Sequence, residues 1–385
     1  MNFPASFPAS FSRRALLLGG AFALAGRPAS AIAAAPASMP APLRFPRDFG
    51  AHVGARTEWW YITGHALHES RRYGFQITFF RSRVAGAQAL QSSLAARQLV
   101  FAHAAVSDIA AGRLLHDQRM GRWSGLPPAQ DGFGQAWASS EDTDLRLGAG
   151  RDVWSLRRLR DGYRARAACE AFALDVDLIP TQPLLLQGDA GLSQKGPRPE
   201  QNSRYYSVPQ LRVRGGISIG GRRMVFDAGA ERGQNAAWLD HEWSDEIMPP
   251  GSVGWDWTGI NGFDGFALTL FRLRRADGSA LWAGGSWRAS GAAEVQVFAA
   301  DAVRFEAVRW WVSPRTGGRY PVEFRLQTPA GRFTIRALLD DQELDSRAST
   351  GAVYWEGLSE LLDASGRAVG RGYLELTGYL ETLRL

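Results

Sequence analysis

The segment at residues 238–243 holds the side chains best suited to acid–base chemistry. It reads Trp-Leu-Asp-His-Glu-Trp. An extended strand alternates its side chains between two faces, so Trp238, Asp240 and Glu242 would share one face and His241 would point to the other. Ionisable groups between large aromatic rings are expected to be hydrogen-bonded or used in chemistry. The segment therefore indicates either a buried hydrogen-bond network that fixes a barrel core or a functional pocket.

Three further clusters combine acids with aromatic rings. Residues 58–61 read Glu-Trp-Trp-Tyr, residues 254–257 read Gly-Trp-Asp-Trp and residues 353–357 read Val-Tyr-Trp-Glu-Gly. A carboxylate between such rings is either paired, for example with an arginine, or exposed in a wet cavity. Glu58 and Glu356 are open to both interpretations.

Two of these clusters begin an internal repeat. The cluster at 58–64 is followed at 74–81 by Gly-Phe-Gln-Ile-Thr-Phe-Phe-Arg, and the cluster at 255–259 is followed at 265–272 by Gly-Phe-Ala-Leu-Thr-Leu-Phe-Arg. Both copies run from an aromatic cluster through a turn to a strand that starts with Gly-Phe and closes with Phe-Arg. Two matches in the same order predict a tandem of two similar β domains.

The elements that must position these groups are predicted to be strands. Short alternating runs such as Tyr73–Phe80 and Phe172–Leu178 recur between Gly, Pro, Asp and Asn residues, which is typical of antiparallel sandwiches or barrels. Residues 87–97 are a candidate surface helix or lid. Residues 180–204 form the longest irregular stretch, and such long loops are often functional.

The N-terminus carries a targeting pattern. Residues 12–18 read Ser-Arg-Arg-Ala-Leu-Leu-Leu, and an apolar run and a small-residue Ala-Ser-Ala site follow. This pattern predicts export by the twin-arginine route to the periplasm or the medium. The predicted organisation is a signal peptide over 1–31, a flexible leader over 32–44, an N-terminal domain over 45–232 and a C-terminal domain over 233–385.

Composition and motifs exclude several classes of function. The net charge is +6, but the positive charge is almost all arginine, interspersed with acids, and Lys195 is the single lysine. No nucleic-acid-binding motif accompanies it, so we expect no nucleic-acid partner, although weak contact with an anionic membrane or an envelope transporter remains open. A Gly-x-Ser-x-Gly match at 216–220 lies in a predicted hairpin rather than before a helix. No metal-binding or cofactor motif is present, so we expect neither group.

Six motifs between Glu58 and Tyr379 together resemble a known family. They are Glu-Trp-Trp-Tyr-x-Thr-Gly, Thr-Phe-Phe-Arg, Tyr-Tyr-Ser-x-Pro, Asp-His-Glu-Trp-Ser, Gly-Trp-Asp-Trp and Gly-Tyr-Leu-Glu-Leu-Thr-Gly-Tyr. The set resembles the secreted AttH-like proteins, which belong with the carotenoid 1,2-hydratases. The resemblance implies an all-β fold of two tandem lipocalin-like antiparallel β-barrels and an apolar, isoprenoid- or carotenoid-like ligand.

The resemblance also implies a cofactor-free chemistry. Hydrating an unactivated alkene needs an acid that protonates carbon, aromatic faces that steady the carbocation, and a base that orients water. Asp240 is the candidate acid, with His241 or Asp256 as the base. Trp238 and Trp243 are the candidate aromatic rings that would stabilise the carbocation. Trp238 stands where the hydratases tend to carry a tyrosine.

The remaining candidate ligand-binding residues come from the same aromatic clusters and motifs: Trp255, Trp257, Tyr206, Trp60 and Glu58. The protein is expected to act as a monomer. A non-catalytic lipid carrier and an accessory protein of an envelope transporter are the alternatives to a hydratase-like enzyme.

Overall fold

The computed structural model describes residues 42–132, 134–227, 233–246 and 248–383. The predicted signal peptide and nearly all of the predicted leader lie outside these ranges. The described residues contain no helix that is long and apolar enough to cross a membrane. Apart from strands, their regular structure consists of three short 3-10 turns, at Arg47–Phe49, Ala85–Ala87 and Gly150–Asp152.

The first antiparallel sheet contains fourteen strands among the described residues. They are β1 (Thr57–His68), β2 (Arg71–Arg83), β3 (Gln98–Asp108), β4 (Arg113–Trp123), β5 (Ala136–Ala138), β6 (Asp144–Leu147), β7 (Trp154–Leu159), β8 (Gly162–Ala168), β9 (Phe172–Ile179), β10 (Leu185–Leu186), β11 (Leu192–Gln194), β12 (Asn202–Ile219), β13 (Arg222–Val225) and β14 (Ala236–Ser244). The main path runs β4-β3-β2-β1-β14-β12-β9-β8-β7-β6-β5, and β10, β11 and β13 each pair with β12.

The second sheet contains ten strands in the described part of the chain. They are β15 (Gly254–Gly262), β16 (Ala267–Arg274), β17 (Ala280–Arg288), β18 (Gln296–Phe298), β19 (Arg304–Val312), β20 (Arg319–Thr328), β21 (Gly331–Ala337), β22 (Glu343–Ser346), β23 (Ala352–Leu362) and β24 (Ala368–Leu376). The path runs β18-β17-β16-β15-β24-β23-β21-β20-β19, with β22 beside β23. The molecule is therefore the predicted all-β pair of lipocalin-like barrels.

Alternating side chains build the cores of these barrels. Strand β9 alternates buried and half-buried residues along its whole length, as its sequence predicts. The two ends of the first sheet meet where Gly121 of β4 faces Ala136 of β5. A Cβ atom at Gly121 would lie 2.9 Å from the Cβ of Ala136, so a larger residue here would push the two strands apart.

The repeated sequence motif forms the first hairpin of each sheet, and a buried ion pair occupies the same place in both. Glu58 lies opposite Arg81 across β1 and β2, and Asp256 lies opposite Arg272 across β15 and β16. In each hairpin the acid belongs to the aromatic cluster, and the arginine is the second residue of the Phe-Arg pair. The echo in the sequence thus reflects a repeated structural unit.

Two details of organisation differ from the sequence-based expectation. Strand β14 pairs with both β1 and β12, so the change of sheet falls after Ser244, later in the chain than a second domain starting at residue 233. Residues 87–97 form turns rather than a helix. The leucines that a helix would bury together, Leu90 and Leu94, are each 52% exposed, so no apolar packing offsets the cost of ordering a helix.

Buried glutamines join the two barrels. A bulge in β12 puts Gln210 at a φ of 56°. Its Nε2 donates to the carbonyl oxygens of Gly262 and Phe266, each at 2.9 Å. Gln187, in the long stretch at 180–204, bonds Ser207 of the first barrel and Thr269 of the second. These contacts place one face of β14 against the second barrel.

Candidate functional site

Strand β14 presents two chemically different faces. As predicted, the segment is extended, and all of its residues are buried. Trp238 packs with Trp257 and other residues of the second barrel, whereas Leu239 and Trp243 belong to the core of the first barrel. The acids Asp240 and Glu242 share the face of Trp238 and therefore point toward the second barrel.

A cleft of about 630 Å³ lies between the barrels beside these acids. Aromatic rings from both barrels contribute to its wall, together with charged and polar side chains. The rings of the first barrel are Trp59, Tyr61, Phe80 and Phe101, and those of the second are Trp255, Trp257, Phe271 and Tyr354. Trp255 and Trp257, which the sequence predicts as ligand-binding residues, both lie in this wall. The cleft has the size and apolar lining that are typical of small-molecule sites.

Asp240 lies in the wall of this cleft with three hydrogen-bond donors around it. Tyr205 Oη, Ser207 Oγ and Trp238 Nε1 each donate to its carboxylate at 2.6 Å. Burial raises the pKa of Asp240, the three donors lower it, and the net result is a pKa of about 7. The carboxyl group can therefore both hold and release a proton near neutral pH.

Glu242, two residues along the same face, is neutralised by a cation. Lys195 Nζ lies 3.0 Å from Glu242 Oε1, and Ser203 Oγ also donates to that oxygen. The ammonium lies over the ring of Phe271, 4.2 Å from its centroid. The long irregular stretch at 180–204 thus places the chain's single lysine at the cleft.

The second barrel adds two more carboxyl groups to the same cleft. Glu356 and Glu375 are direct cross-strand partners on β23 and β24, and both line the cavity. Burial and the neighbouring charge of Glu375 raise the pKa of Glu356 well above its ordinary value. Burial is also the main cause that raises the pKa of Glu375, to about 7. Sequence reasoning noticed Glu356 but missed its partner, because only strand register brings the two together.

Five of the predicted site residues lie on the other side of β14, inside the first barrel. His241 Nε2 donates to Glu58 Oε1 at 2.9 Å, and a 3.0 Å hydrogen bond joins its Nδ1 to Tyr206 Oη. Trp60 stacks on the His241 ring, and Trp243 packs beside it. None of these side chains lines the cleft. The sequence predicts His241 as a base acting with Asp240 and Trp243 as a ring that stabilises the carbocation. It predicts Glu58, Trp60 and Tyr206 as ligand contacts. The placement of these five residues does not fit those roles.

His52, Glu58 and His241 form the one group among the described residues whose ligand atoms are close enough to hold a metal ion. The group is already internally paired. Glu58 Oε1 lies 2.9 Å from His52 Nδ1 and from His241 Nε2, and Glu58 Oε2 accepts from Arg81 Nε at 2.9 Å. Burial opposes ionisation, but these donors and the charge of Arg81 hold the pKa of Glu58 well below its ordinary value. The adjacent guanidinium disfavours a bound cation, so we interpret the group as a hydrogen-bond network.

Asp256, the second candidate base, is also held away from the cleft. It is completely buried. Arg272 Nε lies 2.8 Å and Arg274 Nε 3.0 Å from its oxygens, and Tyr379 Oη donates to it at 2.8 Å. Its carboxylate is committed to this ion-pair cluster. Asp256 is therefore placed outside the cleft, which does not suit the catalytic base predicted from the sequence, and the role that fits is anchoring the first hairpin of the second barrel.

Comparison with known proteins assigns the family. The family model described as AttH-like matches residues 36–379. The crystal structure of an AttH protein from Nitrosomonas europaea is 42% identical, covers 90% of this chain and 100% of its own, and superposes with a TM-score of 0.78. A comparison with curated proteins gives no match.

Two more distant structures share the fold. Kievitone hydratase from Nectria haematococca is 14% identical over 88% of this chain and 93% of its own, with a TM-score of 0.62. CghA with Sch210972 is 13% identical over 85% of this chain and 89% of its own, with a TM-score of 0.53. At these identities the likeness concerns the fold alone. The extent of the family match and the closer likeness to the Nitrosomonas protein show that this chain belongs to the AttH-like family.

Proposed function

We propose that the protein binds an apolar, isoprenoid- or carotenoid-type ligand in the cleft between its barrels and hydrates a carbon–carbon double bond of that ligand. The observation that carries this proposal is the buried Asp240 carboxyl group, whose pKa of about 7 keeps it protonated in slightly acidic solution and about half protonated at neutral pH. A protein of similar fold is named a hydratase, so this fold can house that class of reaction.

The aromatic walls suit both the ligand and the reaction. An apolar chain that leaves water for this cleft gains free energy in proportion to the apolar area it buries. The rings of Trp257 and Tyr61 meet edge to face beside the acid, with centroids 5.1 Å apart. Their π-systems can stabilise a positive charge that develops on the ligand.

The proposed reaction is balanced without a cofactor. Asp240 transfers its proton to one alkene carbon, and the tertiary carbocation left at the other carbon is captured by water. The resulting oxonium loses a proton to a base, the base releases that proton to solvent, and Asp240 regains a proton from solvent, so the net change is the addition of one water. Glu375, which lines the same cleft and whose pKa is also about 7, is the group that accepts the proton of water. Glu375 therefore takes the role of the base, because neither His241 nor Asp256 lines the cleft.

The test compares two isosteric variants. Asp240→Asn keeps the shape of the side chain but cannot supply a proton, so turnover of an acyclic carotene in detergent micelles should be lost while its affinity changes little. Asp256→Asn is the matched control, since it alters a buried acid outside the cleft. It should retain turnover per folded molecule. The product is identified by mass spectrometry as the substrate plus one water, with the oxygen derived from labelled solvent.

Two results would contradict the proposal in different ways. Turnover that survives Asp240→Asn would remove the acid assigned here. Failure of wild-type protein to quench its tryptophan fluorescence with any apolar ligand would remove the ligand class.

One observation also favours the non-catalytic carrier. Asp240 already has three donors within 2.6 Å, which is an arrangement that structural carboxylates share. A carrier would bind the carotene with the same affinity in wild type and in Asp240→Asn and release it unchanged. Binding without any hydrated product in the wild type would therefore support the carrier.

A further inference from the structure

Three buried polar atoms lie together at the cleft, near one another but beyond ordinary hydrogen-bond distance of any partner. They are Tyr61 Oη, Gln76 Nε2 and Glu356 Oε1. Their residues are 6%, 1% and 2% exposed, respectively. Buried polar atoms with such long contacts lose much of the free energy of a hydrogen bond, so a group of three is unusual unless a bound group completes the bonds.

The strand register explains how the three meet. Tyr61 lies on β1 directly opposite Thr78 of β2, and Thr78 Oγ1 donates to Gln76 Oε1 at 3.2 Å. That bond orients the amide group of Gln76 through Oε1, and Nε2 takes no part in it. Glu356 reaches the same place from β23 of the second barrel, and long side-chain contacts from Tyr61 and Gln76 oppose the rise in its pKa. Tyr61, Thr78 and Glu356 all line the cleft.

We propose that Tyr61, Gln76 and Glu356 form a polar subsite that binds one hydroxyl oxygen of an otherwise apolar ligand. A hydroxyl group matches the three atoms because it accepts from the amide of Gln76 and the phenol of Tyr61 and donates to Glu356. This subsite makes an alcohol with a long apolar chain, rather than a pure hydrocarbon, the favoured class of ligand. The inference rests on the proposed binding of apolar ligands in the same cleft.

The subsite is also close to the proposed acid. Tyr61 is the cross-strand partner of Asp240 on the same face of the first sheet. Side chains of such partners start about 5 Å apart. A hydroxyl group held by Tyr61 would therefore lie within a few bonds of a carbon that Asp240 could reach. The same subsite can hold the hydroxyl group that hydration installs, so the alcohol should bind more tightly than the alkene from which it forms.

The experiment compares two probes that differ by one water. They are the sesquiterpene alcohol nerolidol and the hydrocarbon β-farnesene, each titrated against wild-type protein by tryptophan fluorescence. One buried hydrogen bond corresponds to about a tenfold preference, so nerolidol should bind about tenfold more tightly or better. Tyr61→Phe and, separately, Gln76→Leu should reduce this preference severalfold, while the affinity for β-farnesene stays close to that of the wild type.

Tyr320→Phe is the matched control. Tyr320 is completely buried and its hydroxyl is also beyond ordinary hydrogen-bond distance of any partner, but it belongs to the core of the second barrel and does not line the cleft. This variant should keep the wild-type preference. Equal affinity of wild type for the two probes, or a preference that survives both cleft variants, would overturn the subsite. If neither probe binds, the proposed function fails and the subsite fails with it, which is a different and recognisable result.

Discussion

The protonation state of Asp240 can be read from the pH dependence of stability, because its pKa changes on folding. The pKa rises from its ordinary value of 3.8 to about 7. The folded state then binds this proton more tightly than the unfolded state does. The stabilisation is complete below about pH 4 and is lost progressively as the pH rises toward 7. A change of about three pH units corresponds to about 4 kcal/mol in the free energy of unfolding.

Asp240→Asn isolates this contribution. The amide oxygen can still accept from Trp238 and Ser207, and the amide nitrogen can donate to Tyr205, so the hydrogen bonds are largely retained. Asp240 is only 2% exposed, so solvent screens the effect little. The variant should gain on the order of 4 kcal/mol relative to wild type as the pH rises from about 4 to about 8.

Urea denaturation followed by tryptophan fluorescence measures the difference at each pH. Other titrating groups are present in both proteins, so most of their contribution cancels in the difference. A difference that does not change with pH would show that Asp240 is ionised in the folded protein across this range. Such a carboxylate could not donate a proton at neutral pH, and the reasoning for a catalytic acid would be refuted.

Two further predictions concern the charged groups around the site. Lys195→Met should lower the free energy of unfolding by about 3–5 kcal/mol, because it leaves Glu242 buried without its cation, and the second change Glu242→Gln should restore much of the loss in the same urea assay. Glu58→Gln should cost a similar 3–5 kcal/mol by leaving Arg81 unpaired, but it should not alter nerolidol affinity, since Glu58 lies outside the cleft. A loss of affinity per folded molecule would instead support the ligand-binding role predicted for Glu58 from the sequence.

The sequence was sufficient to predict the strands and the segment that carries the acids, but it was not sufficient to predict the roles of individual acids. Alternation along residues 238–243 is enough to place Asp240 and His241 on opposite faces of the strand. Whether an acid is reactive depends on its neighbour in the next strand, which sequence alone does not reveal. Glu58 faces Arg81 and Asp256 faces Arg272, so both are ion-paired, whereas Asp240 faces Tyr61 and Ser207.

The internal repeat contained part of the missing information. Each copy ends in Phe-Arg, and in each the arginine pairs with the acid at the start of the hairpin. A repeated acid and a repeated arginine at matching positions indicate a structural pair, and this would have argued against catalysis by Asp256. No comparable pattern points to Glu375 or Tyr205. Their places in the site arise from contacts between strands that are far apart in the chain.

The position of β14 has a consequence for biosynthesis. This strand lies between β1 and β12, yet it follows both in the chain. While the ribosome is still making residues before Ala236, the first barrel has two unpaired strand edges where β14 will insert. Such edges recruit other chains, and closure must wait for a contact between residues that are distant in sequence. A fragment that stopped at residue 232 would lack both the strand that closes its barrel and Asp240. Insertion of β14 therefore completes the first sheet and places the acid at the cleft in the same step.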